Sequence, residues 1–338
     1  MSTQNLHVAV VGAGLMGADH VQRLARRTAG ATVSAVVDID QERAQAAADM
    51  ASPARTFSSV EDLIKAGAAE AVVLATPGFL HEEALLQLID AGIPVMCEKP
   101  LTPGPESSLR VVEAEVAAGQ RLVQVGFMRR FDAGYRQLKN IIDAGTYGEL
   151  LMLHHQHRNA SVPETFTNEM VIHDSVVHEF DAVRFFSGEE ISNVAVRTGR
   201  HTSKGTELVR DPQLVTIQTS SGLLATVEIF VNAKLGYQVL TQAVFEEGVV
   251  KIGESAGPTV IAESRTGSAI DQTYHTRFVE AYDEEIQQWV NSVATGVPVG
   301  PSAWDGYATA AVCGAGVSAQ QSGEITSVDM AHKPALYA

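Results

Sequence analysis

Apolar residues in the first third of the chain fall in short unbroken runs. Residues Leu6–Val11, Ala31–Val37, 71–75, 94–98 and 122–126 are largely apolar and rich in β-branched side chains. Such runs mark strands buried on both faces of a parallel sheet. Between them, 19–27, 41–50, 60–66 (capped by Ser59), 80–92 and 103–119 have helical composition or spacing, and Thr56 and Phe57 read as one more short strand. This regular alternation predicts a doubly wound α/β domain with helices on both faces of the sheet. After residue 126 the pattern changes. Stretches 150–157, Gln213–Thr219, 223–231 and Gln238–Phe245 alternate apolar and polar residues, the period of antiparallel strands with one packed face. On 223–231, Ala225, Val227, Ile229 and Val231 form the core side. Leu224, Thr226, Glu228 and Phe230 form a mixed side that suits a subunit contact. A helix at 138–144 ending at Gly145, and two late helices at about 277–295 and 302–321, complete an α+β second domain with a large, mainly antiparallel open sheet. The expected domains are 1–126 and 127–338, with no linker, repeat or low-complexity segment.

The first run feeds directly into Gly12-Ala13-Gly14-Leu15-Met16-Gly17 and then a helix. In a strand–turn–helix of this kind Gly12 makes the tight turn. Gly14 admits a pyrophosphate to the backbone, and Gly17 lets the helix pack on the strand. The second strand ends in Asp38, about twenty residues on, where a carboxylate holds a ribose 2′-hydroxyl. That charge repels a 2′-phosphate, so the expected cofactor is NAD. The bland alternative makes Asp38 a turn residue with Asp40 as the helix cap. Loops after the other strands line the same crevice, which brings in Thr76, Pro77 and, just beyond, His81. As a first-turn residue, His81 reads equally as an exposed side chain or as a cofactor contact.

Bulk properties narrow the partners. With 338 residues and a formal net charge of −16, the chain can bury two cores and offers little to nucleic acid or anionic membrane. No apolar run reaches membrane-spanning length, and Met1 to Asn5 carry no signal pattern. Cys97 and Cys313 form no metal or redox motif, so a cytoplasmic protein with reduced thiols is expected.

Three constellations carry candidate chemistry. Cys97-Glu98-Lys99-Pro100 closes a parallel strand at the ligand end of the sheet. Lys99 there either stabilises a developing alkoxide or is a solvated loop lysine paired with Glu98. A cis Lys99–Pro100 bond is uncommon on base rates. In Ile172-His-Asp-Ser-Val-Val-His-Glu-Phe-Asp181, read as an α-helix, Asp174, His178 and Asp181 share one face. An aspartate one turn from a histidine fixes its tautomer and supports its imidazolium, as a general base requires. The alternative is a capping Asp174 beside an ordinary polar histidine. In His154-His-Gln-His-Arg-Asn159, His155, His157 and Asn159 share a strand face. Without a nearby cysteine or carboxylate at ligand spacing, no metal is expected. Hydrogen bonding to a many-hydroxyl substrate is the better reading, with packing close behind.

Gly-Ala-Gly-Leu-Met-Gly17, Cys-Glu-Lys-Pro100, Gly-Phe-Met-Arg-Arg-Phe-Asp132 and Asp-Ser-Val-Val-His-Glu-Phe-Asp181 occur in this order, with Ser-Ala-Trp-Asp-Gly-Tyr307 later. Together they resemble the glucose–fructose oxidoreductase and inositol dehydrogenase family (GFO/IDH/MocA), and most closely its inositol-type members, from Leu6 to the C-terminus. The resemblance implies a Rossmann domain binding NAD through the Gly12–Gly17 loop, Asp38, Thr76, Pro77, His81, Glu98 and Lys99. It implies a catalytic set in which His178 is the base, Asp174 its orienting partner and Lys99 a substrate-binding relay. It places Met128, Arg129, His157, Asn159 and Tyr237 at a polyol. Leu235 stands where a second aromatic hydroxyl would be expected, which leaves the isomer preference open. The implied reaction is oxidation of myo-inositol at its axial hydroxyl to 2-keto-myo-inositol by a homotetramer. Rival readings are a dehydrogenase of scyllo-inositol or of an aldose such as glucose or xylose, and a non-catalytic regulator that binds NAD and a sugar.

Overall fold

The structure is a computed structural model and describes residues 5–51, 53–253, 259–262 and 264–338. Met1 to Gln4, most of the stretch read above for a signal pattern, lie outside them. Two compact units emerge. Unit 1 comprises 1–128, 280–310 and 331–338, and unit 2 comprises 129–279 and 311–330.

Unit 1 is built on strands β1 (Leu6–Val11), β2 (Ala31–Val37), β3 (Arg55–Phe57), β4 (Ala71–Leu74), β5 (Val95–Glu98) and β6 (Val123–Gly126). They form a parallel six-stranded sheet in the order β3-β2-β1-β4-β5-β6. The order reverses between β1 and β4, the crevice where open α/β sheets bind ligands. Helices α1 (Leu15–Arg26), α2 (Gln41–Ala48), α3 (Val60–Lys65), α4 (His81–Asp90) and α5 (Pro105–Ala118) make the crossovers. Ser59 and Asp40 cap α3 and α2 through their first-turn N–H groups. Val8, Val10, Val73 and Met96 meet Val21 and Leu24 of α1 in a core that also holds Ile286, Trp289 and Val290.

Those last three residues correct the expected division. The helix Val279–Thr295 belongs with the first unit and not with the second domain. A parallel sheet has to be covered on both faces, and this helix supplies apolar cover that the first 126 residues lack. Arg23 of α1 pairs with Asp283, and the Gln287 amide bonds both the N–H and the carbonyl of Ala29. The C-terminal segment returns as well. The Tyr337 hydroxyl donates to buried Glu115 at 2.5 Å, while that carboxylate also accepts from Val123 N–H.

Unit 2 holds a mixed sheet of seven strands. Its members are β7 (Leu150–Arg158), β8 (Ile191–Thr198), β9 (Gln213–Thr219), β10 (Leu224–Phe230), β11 (Gln238–Phe245), β12 (Val249–Ile252) and the short strand Thr326–Ser327. All pairings are antiparallel except β7 with β10. On β9, β10 and β11 alternate residues are buried, as the period of two predicts. Strand β8 escaped the sequence reading. A register irregularity between Ile191 and Asn193 and three consecutive buried residues (Val194, Ala195, Val196) break its alternation. Helix α6 (Ala133–Asp143) starts five residues before the expected 138, with the Asp132 carboxylate accepting from the Gly134 and Tyr135 N–H groups.

Candidate active site

The glycine loop is locally over-determined. Gly12 has φ +92°, and a Cβ there would stand 2.8 Å from the backbone of Ala75 and Thr76. A Cβ on Gly17 would lie 1.7 Å from the Gly12 carbonyl oxygen, so α1 can sit this close to β1 only without a side chain. Gly14 is different, since a Cβ on it meets nothing within 4 Å. It begins α1 with no side-chain cap, and the positive end of that helix favours an anion.

Asp38 is buried beside this loop. Its Oδ2 accepts from Ala13 N–H at 2.8 Å and its Oδ1 from Asp40 N–H at 2.9 Å. Each carboxylate oxygen keeps one acceptor position for a hydroxyl. Asp40 caps α2 as the plainer reading required, so the two aspartates hold separate roles. Around the loop, large apolar side chains are left out in solvent: Leu15 is 73% exposed, Ile39 87% and Phe79 73%. Leu15 opens α1, and Ile39 and Phe79 follow β2 and β4; a bound base or ring would cover them. Sequence reading singled out Leu15 but passed over Ile39 and Phe79. Their signal is a large apolar residue in the turn after a strand, two residues past β2 for Ile39 and five past β4 for Phe79, where a polar residue is usual. Thr76 adds a buried Oγ1 without a partner among the described residues. These features fit a dinucleotide with ribose hydroxyls free of phosphate.

The Lys99 turn lies at the end of β5, and its bond to Pro100 is cis. Lys99 is half-buried, and its N–H donates to Glu98 Oε2 at 3.3 Å. The other carboxylate oxygen of Glu98, Oε1, lies 2.8 Å from His20 Nε2 of α1. The pair ties the Lys99 strand end to the glycine-loop helix. His81 is likewise neither exposed nor available to a cofactor. It is buried, with Nδ1 2.8 Å from the Pro100 carbonyl and Nε2 2.8 Å from the Thr76 carbonyl. Lodged between these two carbonyls, the ring links the loop after β4 to the loop after β5, the nitrogen that carries the proton donating. Pro77, next to Thr76, starts the turn that leads to it. Cys97 stands 3.3 Å from His81 Nδ1, and burial pushes its thiol well above the usual range, so it is inert. Cys313 is also a buried free thiol.

Unit 2 carries the other candidates. Residues Val171–Val176 form a π-helix that continues as the α-helix Val177–Ser187. The single α-helix expected across Ile172–Asp181 is therefore not what forms. The wider turn changes the phase between Asp174, on the π segment, and His178, in the first α turn. π-helical turns are rare and frequently mark functional positions. Asp174 is half-buried and His178 buried. Asp181 leaves their set, because the Arg130 guanidinium holds it with Nε at 3.0 and 3.1 Å and Nη2 at 2.5 Å.

Behind His178 lies a charged cluster that sequence reading missed. Buried Glu179 pairs with Arg129 through Oε1 and lies 3.1 Å from His157 Nδ1 through Oε2. Burial alone would raise this carboxyl, but the Arg129 guanidinium and the hydrogen bonds from Arg129 and His157 bring it down to about 2. Arg129 and His157, both expected at the substrate, thus spend polar atoms on Glu179. Tyr237 packs edge-on to His157 at 5.8 Å, and burial pushes its phenol up to about 12. His155, on the same strand face, is buried against the Thr241 hydroxyl at 2.9 Å, and burial lowers it to about 4. Asn159 presents a buried Oδ1 with no partner among the described residues, which suits a hydroxyl donor. Met128 is buried in unit 1. A carboxylate flanked by His178 and Phe180 on an inward helix face signals a buried cation partner. The Arg129-Arg130 pair was there to supply it.

Comparison with known proteins agrees with these features. Residues 6–127 match the family model described as an oxidoreductase family with an NAD-binding Rossmann fold, and 135–251 match the GFO/IDH/MocA C-terminal domain. The chain is 57% identical over 335 residues to inositol 2-dehydrogenase of Pseudarthrobacter chlorophenolicus, covering 99% of both chains. It is 55% identical over 335 residues to inositol 2-dehydrogenase 1 of Paenarthrobacter aurescens, again covering 99% of each. Among solved structures, a myo-inositol dehydrogenase from Lactobacillus casei in complex with NAD(H) and myo-inositol matches with a TM-score of 0.95 at 33% identity. That match covers 99% of this chain and 100% of the other.

Proposed function

The chain belongs to the GFO/IDH/MocA oxidoreductase family, and from that premise we propose that it oxidises myo-inositol at its axial hydroxyl, giving 2-keto-myo-inositol and NADH. The observation that carries the reading is the joint presence of the glycine loop with Asp38, the Lys99 turn, and the Asp174–His178 segment. NAD supplies the hydride acceptor. The residues of this chain do the rest. Gly14 and the N–H groups of α1 hold the pyrophosphate, and Asp38 takes the ribose hydroxyls. His178 removes the proton of the reacting hydroxyl, and Asp174 orients and stabilises the imidazolium that results. The Lys99 ammonium donates to the same oxygen as its negative charge grows. Asn159, through Oδ1, and Tyr237 bind further hydroxyls, while Arg129 and His157 form the polar wall fixed by Glu179.

The test is His178→Ala. Turnover should fall by at least about a thousandfold, since general-base catalysis and orientation are both lost. NADH affinity, measured by fluorescence titration, should stay within about twofold. Wild-type kcat in the variant would remove His178 from the mechanism. Initial rates on myo-inositol, scyllo-inositol, glucose and xylose separate the substrate readings, where the leucine at 235 bears most directly on isomer choice.

The assembly belongs to the same proposal. The face of the seven-stranded sheet that carries Leu214, Leu224, Thr226, Glu228 and Phe230 is exposed or half-buried. Its mix of apolar and paired polar residues, such as Arg158 with Glu228, suits a homotetramer of a cytoplasmic enzyme. Among the described residues no helix is long and apolar enough to cross a membrane.

A further inference from the structure

The parallel sheet has a second opening, at the end opposite the glycine loop. A cleft of about 200 Å³, partly open to solvent, lies among the N-terminal ends of β5 and β6, bounded by the helix Val279–Thr295 and the residues that follow it. All of its lining belongs to unit 1. Pro94, Trp289, Val293 and Pro298 supply the apolar part of the lining, and Gln120, Arg121, Gln124 and Ser292 the polar part. Gln124 of β6 also lines it, and is only 4% exposed. Among the described residues neither its amide nitrogen nor its amide oxygen has a hydrogen-bond partner. In the same lining the Arg121 guanidinium reaches the Gly300 carbonyl through Nη2 at 3.4 Å, while its buried Nε has no partner among the described residues. A glutamine between Val123 and Val125 on a strand of buried residues is costly unless something meets its amide. Nothing in nucleotide or polyol binding uses it.

We propose that this cavity is a second binding site, taking a small carboxamide carried on an apolar ring. The Gln124 amide presents a donor and an acceptor side by side, so its complement must present an acceptor and a donor in the same way. A carboxamide does so, and the second lone pair of its carbonyl is left for Arg121 Nε–H. A carboxylate meets the donors but strands Gln124 Oε1. A polyol would drive hydroxyls against Pro94, Val293 and Pro298, where they lose their partners. Size agrees, because a cavity of about 150 Å³ holds benzene, leaving room here for the ring and its amide.

Thermal unfolding of the full chain saturated with NADH, titrated with benzamide and separately with benzoate, tests this. NADH occupies the nicotinamide position, so any response comes from elsewhere. Benzamide should raise Tm in a saturable way, and benzoate should need about tenfold more, reflecting the stranded acceptor. Gln124→Leu should abolish the benzamide response while retaining NADH affinity. If that variant does not fold, Val293→Trp, which fills the cavity from its apolar wall, should do the same. No benzamide response in the wild type would overturn the proposal. So would equal potency of benzoate, a response that survives Gln124→Leu, or benzamide competing with NADH. Ordered water alone in crystals soaked with benzamide would also overturn it.

Discussion

Asp38 does two jobs with one carboxylate: it holds the Ala13 N–H of the glycine loop and keeps a face for ribose. Asp38→Ser should therefore lower kcat/KM with NAD by at least about tenfold and narrow the preference over NADP, measured as the ratio of kcat/KM for the two cofactors. A wild-type enzyme preferring NADP would contradict the role given to this charge. His155 offers a prediction of a different kind. Its folded value of about 4 lies below the ordinary 6.5, so the unfolded chain binds the extra proton between them. Its contribution is complete above pH 6.5 and is lost as pH falls through 4, on the order of 3 kcal/mol in all. Urea midpoints should fall across that window, and His155→Gln should flatten the dependence. At this scale the sequence disclosed residues whose chemistry is local, such as the glycines and Asp38. His20 meets Glu98 78 positions away and His81 meets Pro100 19 positions away, contacts that no short motif announces, while the sequence around Glu179 signals a buried cation partner without saying which.

Elements were legible wherever one period held from end to end. β1, β2, β9 and β11 follow theirs, and so do α2 and α3 with their caps at Asp40 and Ser59, whereas the Asp132 cap of α6 went unread. β8 failed because of its irregular register, and 171–176 because a π turn and an α turn share the same composition. Helix α1 shows how tightly an element can be bound to its loop. Gly17→Ala places a methyl group where the Gly12 carbonyl oxygen stands, so the helix must back away from β1. NADH affinity should fall by at least about tenfold and Tm should drop. Gly14→Ala, whose added carbon meets no protein atom, should keep Tm and lose only affinity. Calorimetry and fluorescence titration of the two variants separate helix packing from cofactor approach.

For the whole molecule, the sheet face of unit 2 makes the assembly testable. Leu224→Glu puts a charge on that face without touching the core side of β10. Sedimentation should then show a smaller species with its fold preserved, and an unchanged sedimentation coefficient would move the subunit contact elsewhere. Two units could be anticipated from the change of pattern near residue 126. Their membership could not, because apolar helices at the end of a chain do not state which sheet they cover.

That return of residues 280–310 to the first unit has a consequence for biosynthesis. On a ribosome, the nucleotide-binding half emerges first yet lacks Ile286, Trp289 and Val290 until only about the last seventh of the chain remains to be translated. The nascent half-sheet would wait with an uncovered apolar face, the kind of surface that chaperones hold and that aggregates when synthesis outruns them.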